Sequence, residues 1–126
     1  MPPAKKSLSA DLRSSCPIAG SLDLLGDRWS LLVVRDLFSG STRYGEFAAS
    51  PEGIPTNILA DRLVRLEENG LISSEPYQKN PTRYAYALTA KGRTLKPLLA
   101  FLGQWGARNI PGTKIPAELS ATLRDN

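Results

Sequence analysis

Residues 44–70, YGEFAASPEGIPTNILADRLVRLEENG, decide how the rest of the chain is read. Tyr44 to Ala49 leaves room for a two-turn helix that buries Phe47, and Ser50-Pro51-Glu52-Gly53 supplies turn residues. A further helix is expected from near Pro55. On a wheel of 3.6 residues per turn, Leu59, Leu63 and Leu66 fall within about 60° of one another, and Asn69-Gly70 suits a left-handed cap. The opposite face carries Asn57, Asp61, Val64, Arg65 and Glu68, with Thr56 and Ala60 to one side and Arg62 to the other. A short helix, a turn and a longer helix whose N-terminal end exposes small and polar groups form a helix-turn-helix pattern.

Working outward toward the N-terminus, Ser41 to Arg43 leaves room for a very short strand. Before it, Trp29, Leu32, Val33 and Leu37 mark one face of a helix that Asp27 can cap and Gly40 ends. Pro17 suits a first helical position, and Ile18, Leu22 and Leu25 recur at amphipathic spacing before Gly26. Residues 1–14, rich in Pro, Lys, Ser and Ala, read as a flexible arm in which Leu8 to Leu12 could lengthen a helix on dimerisation.

In the other direction, Leu71 to Tyr77 and Arg83 to Leu88 read as strands through Ile72, Tyr77, Tyr84 and Tyr86, and the turn-rich 78–82 between them makes a hairpin. Thr89 can cap a final helix whose Leu95, Leu98, Leu99, Leu102 and Trp105 form a stripe longer than a small domain needs for its own core, which suggests a partner helix. Residues 110–126, with Pro111, Gly112 and Pro116, read as a loose tail with a helical turn near Ala117 to Leu123. The expected plan is an arm at 1–14, a domain at 15–109 and a tail at 110–126. The fold class is mainly α with a small β-hairpin (α+β): a winged helix-turn-helix with extra dimerisation helices at its N- and C-terminal ends.

The totals fit one such domain. The 126 residues, 41% hydrophobic and 22% charged, have the composition of a globular chain too short for two ordinary domains. Net charge is +4, and residues 72–108 hold six basic side chains against Glu75 alone, leaving the remainder near neutral. That distribution suits a polyanion such as double-stranded DNA. No apolar run approaches membrane-spanning length and Met1 to Ser7 lack a signal-peptide core, so a cytoplasmic protein without membrane contact is expected. One cysteine excludes an intrachain disulfide and agrees with a reducing compartment. With no histidine, Gly-rich phosphate loop or metal-ligand spacing, the sequence points away from an enzyme and implies neither metal nor cofactor. Adjacent Glu67 and Glu68 point to different sides of their helix and cannot share a substrate.

A helix fits the major groove, and the residues near its N-terminal end reach base edges. Thr56, Asn57 and Asp61, with Ala60 on the same face, are the readout candidates, and Arg62 and Arg65 are candidates for phosphate or guanine. The Asn57 amide can pair bidentately with adenine, whereas Asp61 could instead cap or pair with Arg65. Lys79 and Arg83 flank the hairpin turn, where a wing would lay them along phosphates or into the minor groove, and Arg43 is a further phosphate candidate. The plainer reading of these charges is a solvated surface. Cys16 falls at the first turn of the first predicted helix, where the helix dipole favours an anion; its plainer reading is a small buried residue. Trp29, Phe47 and Trp105 read as core or interface. Tyr44, Tyr84 and Tyr86 could line a ligand cavity, although strand tyrosines usually pack.

Specific strings point further. Cys16-Pro17, Gly26-Asp27-Arg28-Trp29 with Leu31-Leu32, Arg43-Tyr44-Gly45-Glu46-Phe47, and above all Asn57-Ile58-Leu59-Ala60-Asp61-Arg62-Leu63 with Leu66-Glu67 and Gly70-Leu71 resemble the HxlR family of bacterial regulators. So do Tyr86-Ala87-Leu88-Thr89, Lys91-Gly92, Leu95, Pro97 and Trp105-Gly106. The resemblance covers about residues 16 to 108. It implies a homodimer, related to the MarR group, that binds an operator of twofold symmetry as repressor or activator. Together with the long apolar stripe it places Ile18, Leu98, Leu99, Leu102 and Trp105 at the dimer interface. Some HxlR relatives sense oxidants or electrophiles through a cysteine at the position of Cys16; here that chemistry would be an intersubunit Cys16 to Cys16 disulfide, a mixed disulfide or a sulfenic acid. Pro55 stands where relatives often have a capping Ser, and Ala85 where many have Glu. The sequence specifies neither target genes nor a small-molecule effector. A non-specific architectural DNA binder, or a protein-interaction adaptor on the same fold, is the alternative that a footprint confined to one palindrome would exclude.

Overall fold

Both helices read in residues 44–70 form where the sequence places them. The computed structural model describes residues 12–117 and 119. In it α1 (Pro17–Leu25), α2 (Ser30–Phe38), α3 (Tyr44–Ala48) and α4 (Thr56–Glu68) lead into a hairpin of β1 (Ile72–Gln78) and β2 (Arg83–Leu88), followed by α5 (Ala90–Arg93) and α6 (Lys96–Asn109). Leu59, Leu63 and Leu66 turn inward from α4 onto Phe47 of α3 and Val33 and Val34 of α2, with Leu71, Ile72 and Leu99 completing the core. Helix α4 ends as Asn69-Gly70 predicts: Gly70 takes φ +76°, and the Leu71 amide donates to the Leu66 carbonyl at 2.9 Å, the 6→1 bond of a Schellman cap.

β1 and β2 pair antiparallel from Ile72 opposite Leu88 to Pro76 opposite Tyr84, with an irregularity between Pro76 and Gln78. The short strand expected at 41–43 is a single bridge from Arg43 to Ala85, supported by the Tyr86 amide donating to the Thr42 carbonyl at 2.7 Å. Tyr86 also meets Phe47 edge to face, which ties the hairpin to α3.

The final helix differs from its expectation. Thr89 accepts from the Gly92 amide at 3.0 Å and caps only α5. Thr94 and Leu95 break the helix, and α6 begins with Pro97 in its first turn, where a proline's missing N–H costs nothing. Leu99 is buried in the core, a correction to its expected place at a dimer interface, whereas Leu98, Phe101, Leu102 and Trp105 lie exposed. On α1 only Leu25 is buried, and Ile18 and Leu22 face outward. The segment after Asn109, expected to be loose, lays Ile115 and Leu119 on the core, and Gly103 leaves the space that Ile115 fills. Of the arm, residues 1–11 lie outside the described residues, as do 118 and 120–126 of the expected C-terminal tail, which include most of the turn expected near Ala117 to Leu123; Leu12 is not helical. Among the described residues no helix is long and apolar enough to cross a membrane.

Candidate nucleic-acid interface

The N-terminal end of α4 is fixed from two sides before any partner is considered. Pro55 provides the N-cap without a side-chain acceptor, and the Tyr44 hydroxyl donates to the Thr56 carbonyl at 2.7 Å, joining α3 to the first turn of α4. The turn between these helices is clamped by Arg35 of α2. Its guanidinium donates through both terminal nitrogens to the Glu52 carboxylate at 2.8 and 2.7 Å and to the Ser50 hydroxyl at 2.9 Å, with Asp36 as a further partner. Those bonds hold the Glu52 carboxyl at about 2 and raise the Arg35 guanidinium well above its ordinary value. At the start of α3, the Glu46 carboxylate accepts from the amides of Thr42 and Arg43, each at 3.0 Å, which lowers its pKa.

Held in this way, α4 turns Thr56, Asn57, Ala60 and Asp61 to solvent. Val64 continues that face at 57% exposure. Arg65 is half-buried, and among the described residues no ion pair engages it; Asp61 does not pair with it.

Arg62 requires a correction. Expected at a phosphate or guanine, it donates from Nε to Asp27 at 2.8 Å and from Nη1 to Asp61, and its side chain is 19% exposed. Asp27 already accepts from the amides of Trp29 and Ser30 and from the Ser30 hydroxyl, at 3.0, 3.1 and 2.5 Å. Burial works to raise the Asp27 carboxyl, but the bonds from Ser30, Arg62 and Trp29 outweigh it and hold the group well below the usual carboxylate range. The Arg62 guanidinium is raised, first by its bond to Asp27.

Around α4, Lys79 and Arg83 are exposed on the hairpin, and the Arg43 guanidinium stacks 4.1 Å over the Tyr77 ring. Tyr44, Tyr77, Arg83, Tyr84 and Tyr86 line an open hollow of about 380 Å³ between the hairpin and the start of α3. Burial raises the Tyr86 hydroxyl. Cys16 is exposed immediately before α1, so the reading of it as a small buried residue does not hold.

Two contributors escaped the sequence reading. Val64, placed on the polar face without a role, is an exposed methyl surface able to meet a thymine methyl. An apolar residue about two helical turns beyond Asn57 was the signal. The Arg35 and Glu52 pair spans 17 positions between separate elements and leaves no periodic trace.

A family model described as HxlR-like helix-turn-helix matches residues 24–114. Among curated proteins the chain is 40% identical over 92 residues to the HTH-type transcriptional regulator sll1512 of Synechocystis, an overlap of 73% of this chain and 68% of that one. It is 39% identical over 99 residues to the HTH-type transcriptional regulator Rv3095 of Mycobacterium tuberculosis, covering 79% of this chain but 62% of the relative, less than two thirds of its length. Among solved structures, the redox regulator HypR in its reduced form superposes with a TM-score of 0.70 at 30% identity, over 76% of this chain and 95% of that one.

Proposed function

Because this chain belongs to the HxlR-like helix-turn-helix family of DNA-binding transcriptional regulators, we propose that it binds a palindromic operator as a homodimer, placing α4 of each protomer in the major groove. The observation that carries this reading is the continuous exposed face of Thr56, Asn57, Ala60, Asp61 and Val64 beside the exposed cations Arg43, Lys79 and Arg83. Asn57 then pairs with adenine, Val64 meets a thymine methyl, Arg65 takes a phosphate or guanine, and the hairpin cations follow the backbone. The site of action is the cytoplasm, where the DNA is. A titration against duplex from the promoters flanking the gene, with random duplex as competitor and salt varied, tests it. Selective binding is expected, falling about tenfold or more in Asn57→Ala, with a steep salt slope from several phosphate contacts. Equal binding to all duplexes would mark an architectural protein, and no binding an adaptor.

A redox response through Cys16 is the second part of the proposal, supported by the exposed thiol and by the likeness to a redox regulator. Two Cys16 thiols joining in a disulfide would lose two protons and two electrons, which break and reduce the O–O bond of an oxidant such as a peroxide. Oxidised wild type should then bind its operator differently from Cys16→Ser treated alike, and equal binding would remove the redox role.

A further inference from the structure

We propose that Asp61 is a specificity-determining residue that accepts from a cytosine amino group in each half-site, and that Asp27 and Arg62 are positioning residues that hold its carboxylate for that task. The inference rests on the DNA-binding reading above and names what one position of that face recognises.

Three observations join here. Asp61 lies one turn beyond Asn57, which puts the two on the same exposed face, and its carboxylate is 55% exposed. A carboxylate only accepts hydrogen bonds, so among major-groove edges it matches an exocyclic amino group and opposes the acceptors of guanine and thymine; adenine sets its N7 acceptor beside its amino group, where it repels the second carboxylate oxygen, which leaves the cytosine N4 amino group as the better match. An unpartnered carboxylate facing DNA would also meet the phosphate potential unrelieved. Arg62 supplies the partner: it reaches Asp61 through Nη1 while its Nε is bound by Asp27, leaving the guanidinium little freedom to follow a phosphate. Asp27 is in turn immobilised by the first turn of α2, whose Trp29 and Ser30 amides it accepts. The chain of contacts from the α2 N-terminus to the exposed face of α4 therefore fixes one acceptor, with its charge partly compensated, on a rigid element. Preorganisation of this kind lowers the ordering cost of the matching contact, and a fixed carboxylate set against a wrong base leaves acceptor facing acceptor, so the right base gains while the wrong one is penalised.

Binding-site selection from a randomised duplex library tests it, using the full chain as wild type, Asp61→Asn, Asp27→Asn and the double variant. Wild type should enrich cytosine at one position of each half-site. In Asp61→Asn that preference should fall about tenfold while preferences set elsewhere persist. In Asp27→Asn the same position alone should relax, with no loss of affinity for random duplex and no shallower salt slope, and adding the change to Asp61→Asn should relax nothing further. Should Asp27→Asn fail a folding check by circular dichroism, Arg62→Lys, which leaves the α2 cap in place, takes its role. Unchanged selection in Asp61→Asn overturns the proposal, as does a uniform loss at every position in Asp27→Asn, which would make Asp27 a cap and nothing more. If wild type enriches no sequence, the DNA-binding reading itself fails, a result distinct from either.

Discussion

Glu52 shows how much a single surface carboxylate contributes when both its oxygens are engaged. Arg35 meets it bidentately at 2.8 and 2.7 Å and lowers its carboxyl from an ordinary 4.5 to about 2. A carboxyl depressed by folding binds fewer protons in the native state than in the unfolded chain, so its stabilisation is complete above the unfolded value and disappears as pH falls through the folded one. Between pH 4.5 and about 2 the wild type should therefore lose stability relative to Glu52→Gln. The side chain is 38% exposed and screened by solvent, so the difference at neutral pH should be about 1 kcal/mol. Urea unfolding of both proteins across that range checks it; a constant difference at every pH would show that the ion pair does not stabilise the turn. Arg62 illustrates the opposite case of legibility. The helical wheel placed it correctly beside the polar face, but its partner Asp27 lies 35 positions away, and local periodicity carries no information about such a pair.

The elements were legible in proportion to how local their causes are. Helices α3 and α4 follow from turn residues, a leucine period and the Asn69-Gly70 cap, all within one short stretch. The division of the last helix was not read, although Pro97 was the clue, because the apolar stripe begins only at Leu95 and residues 90–94 carry no period that could reveal a break; α5 packs closely against the backbone at Leu71 and the side chain of Leu88. Gly92 makes that approach workable. A Cβ at this position would lie 2.0 Å from the Leu71 carbonyl oxygen and 3.1 Å from a Leu88 methyl, and the carbonyl belongs to backbone that accepts from the Thr89 amide. Gly92→Ala should therefore destabilise the fold by about 2 kcal/mol or more despite the better helix propensity of alanine. Thermal denaturation should show a loss of about 8 °C or more. A neutral or stabilising result would mean that α5 can move outward without cost.

At the scale of the molecule, the described residues expose more apolar surface than the core takes up. On α6, Leu99 and Ala100 turn inward, while Leu98, Phe101, Leu102 and Trp105, spaced three and four residues apart, form a second stripe in which Trp105 is 61% exposed. Ile18 at 71% and Leu22 at 58% add a further apolar pair on α1. The sequence stripe was thus read correctly as exceeding the needs of one domain, but it could not say that Leu99 belongs to the core and Phe101 to the exposed side, since that depends on the angle at which α6 meets α2. Stripes of this length on a monomer mark association surfaces, and a second copy of the chain offers the same stripe in return, as twofold pairing requires. Leu102→Asp should therefore convert a dimer into a folded monomer, because it buries a charge at the contact while leaving Leu99 and Ala100 in place. Sedimentation velocity at micromolar concentration should show the wild type at twice the mass of the variant, with circular dichroism unchanged between them. The variant should also lose binding to a full palindrome far more than to a single half-site, since only the joined protomers place two copies of α4 one helical turn apart on the duplex. A wild type that sediments as a monomer would detach these stripes from dimerisation and, with them, the twofold operator.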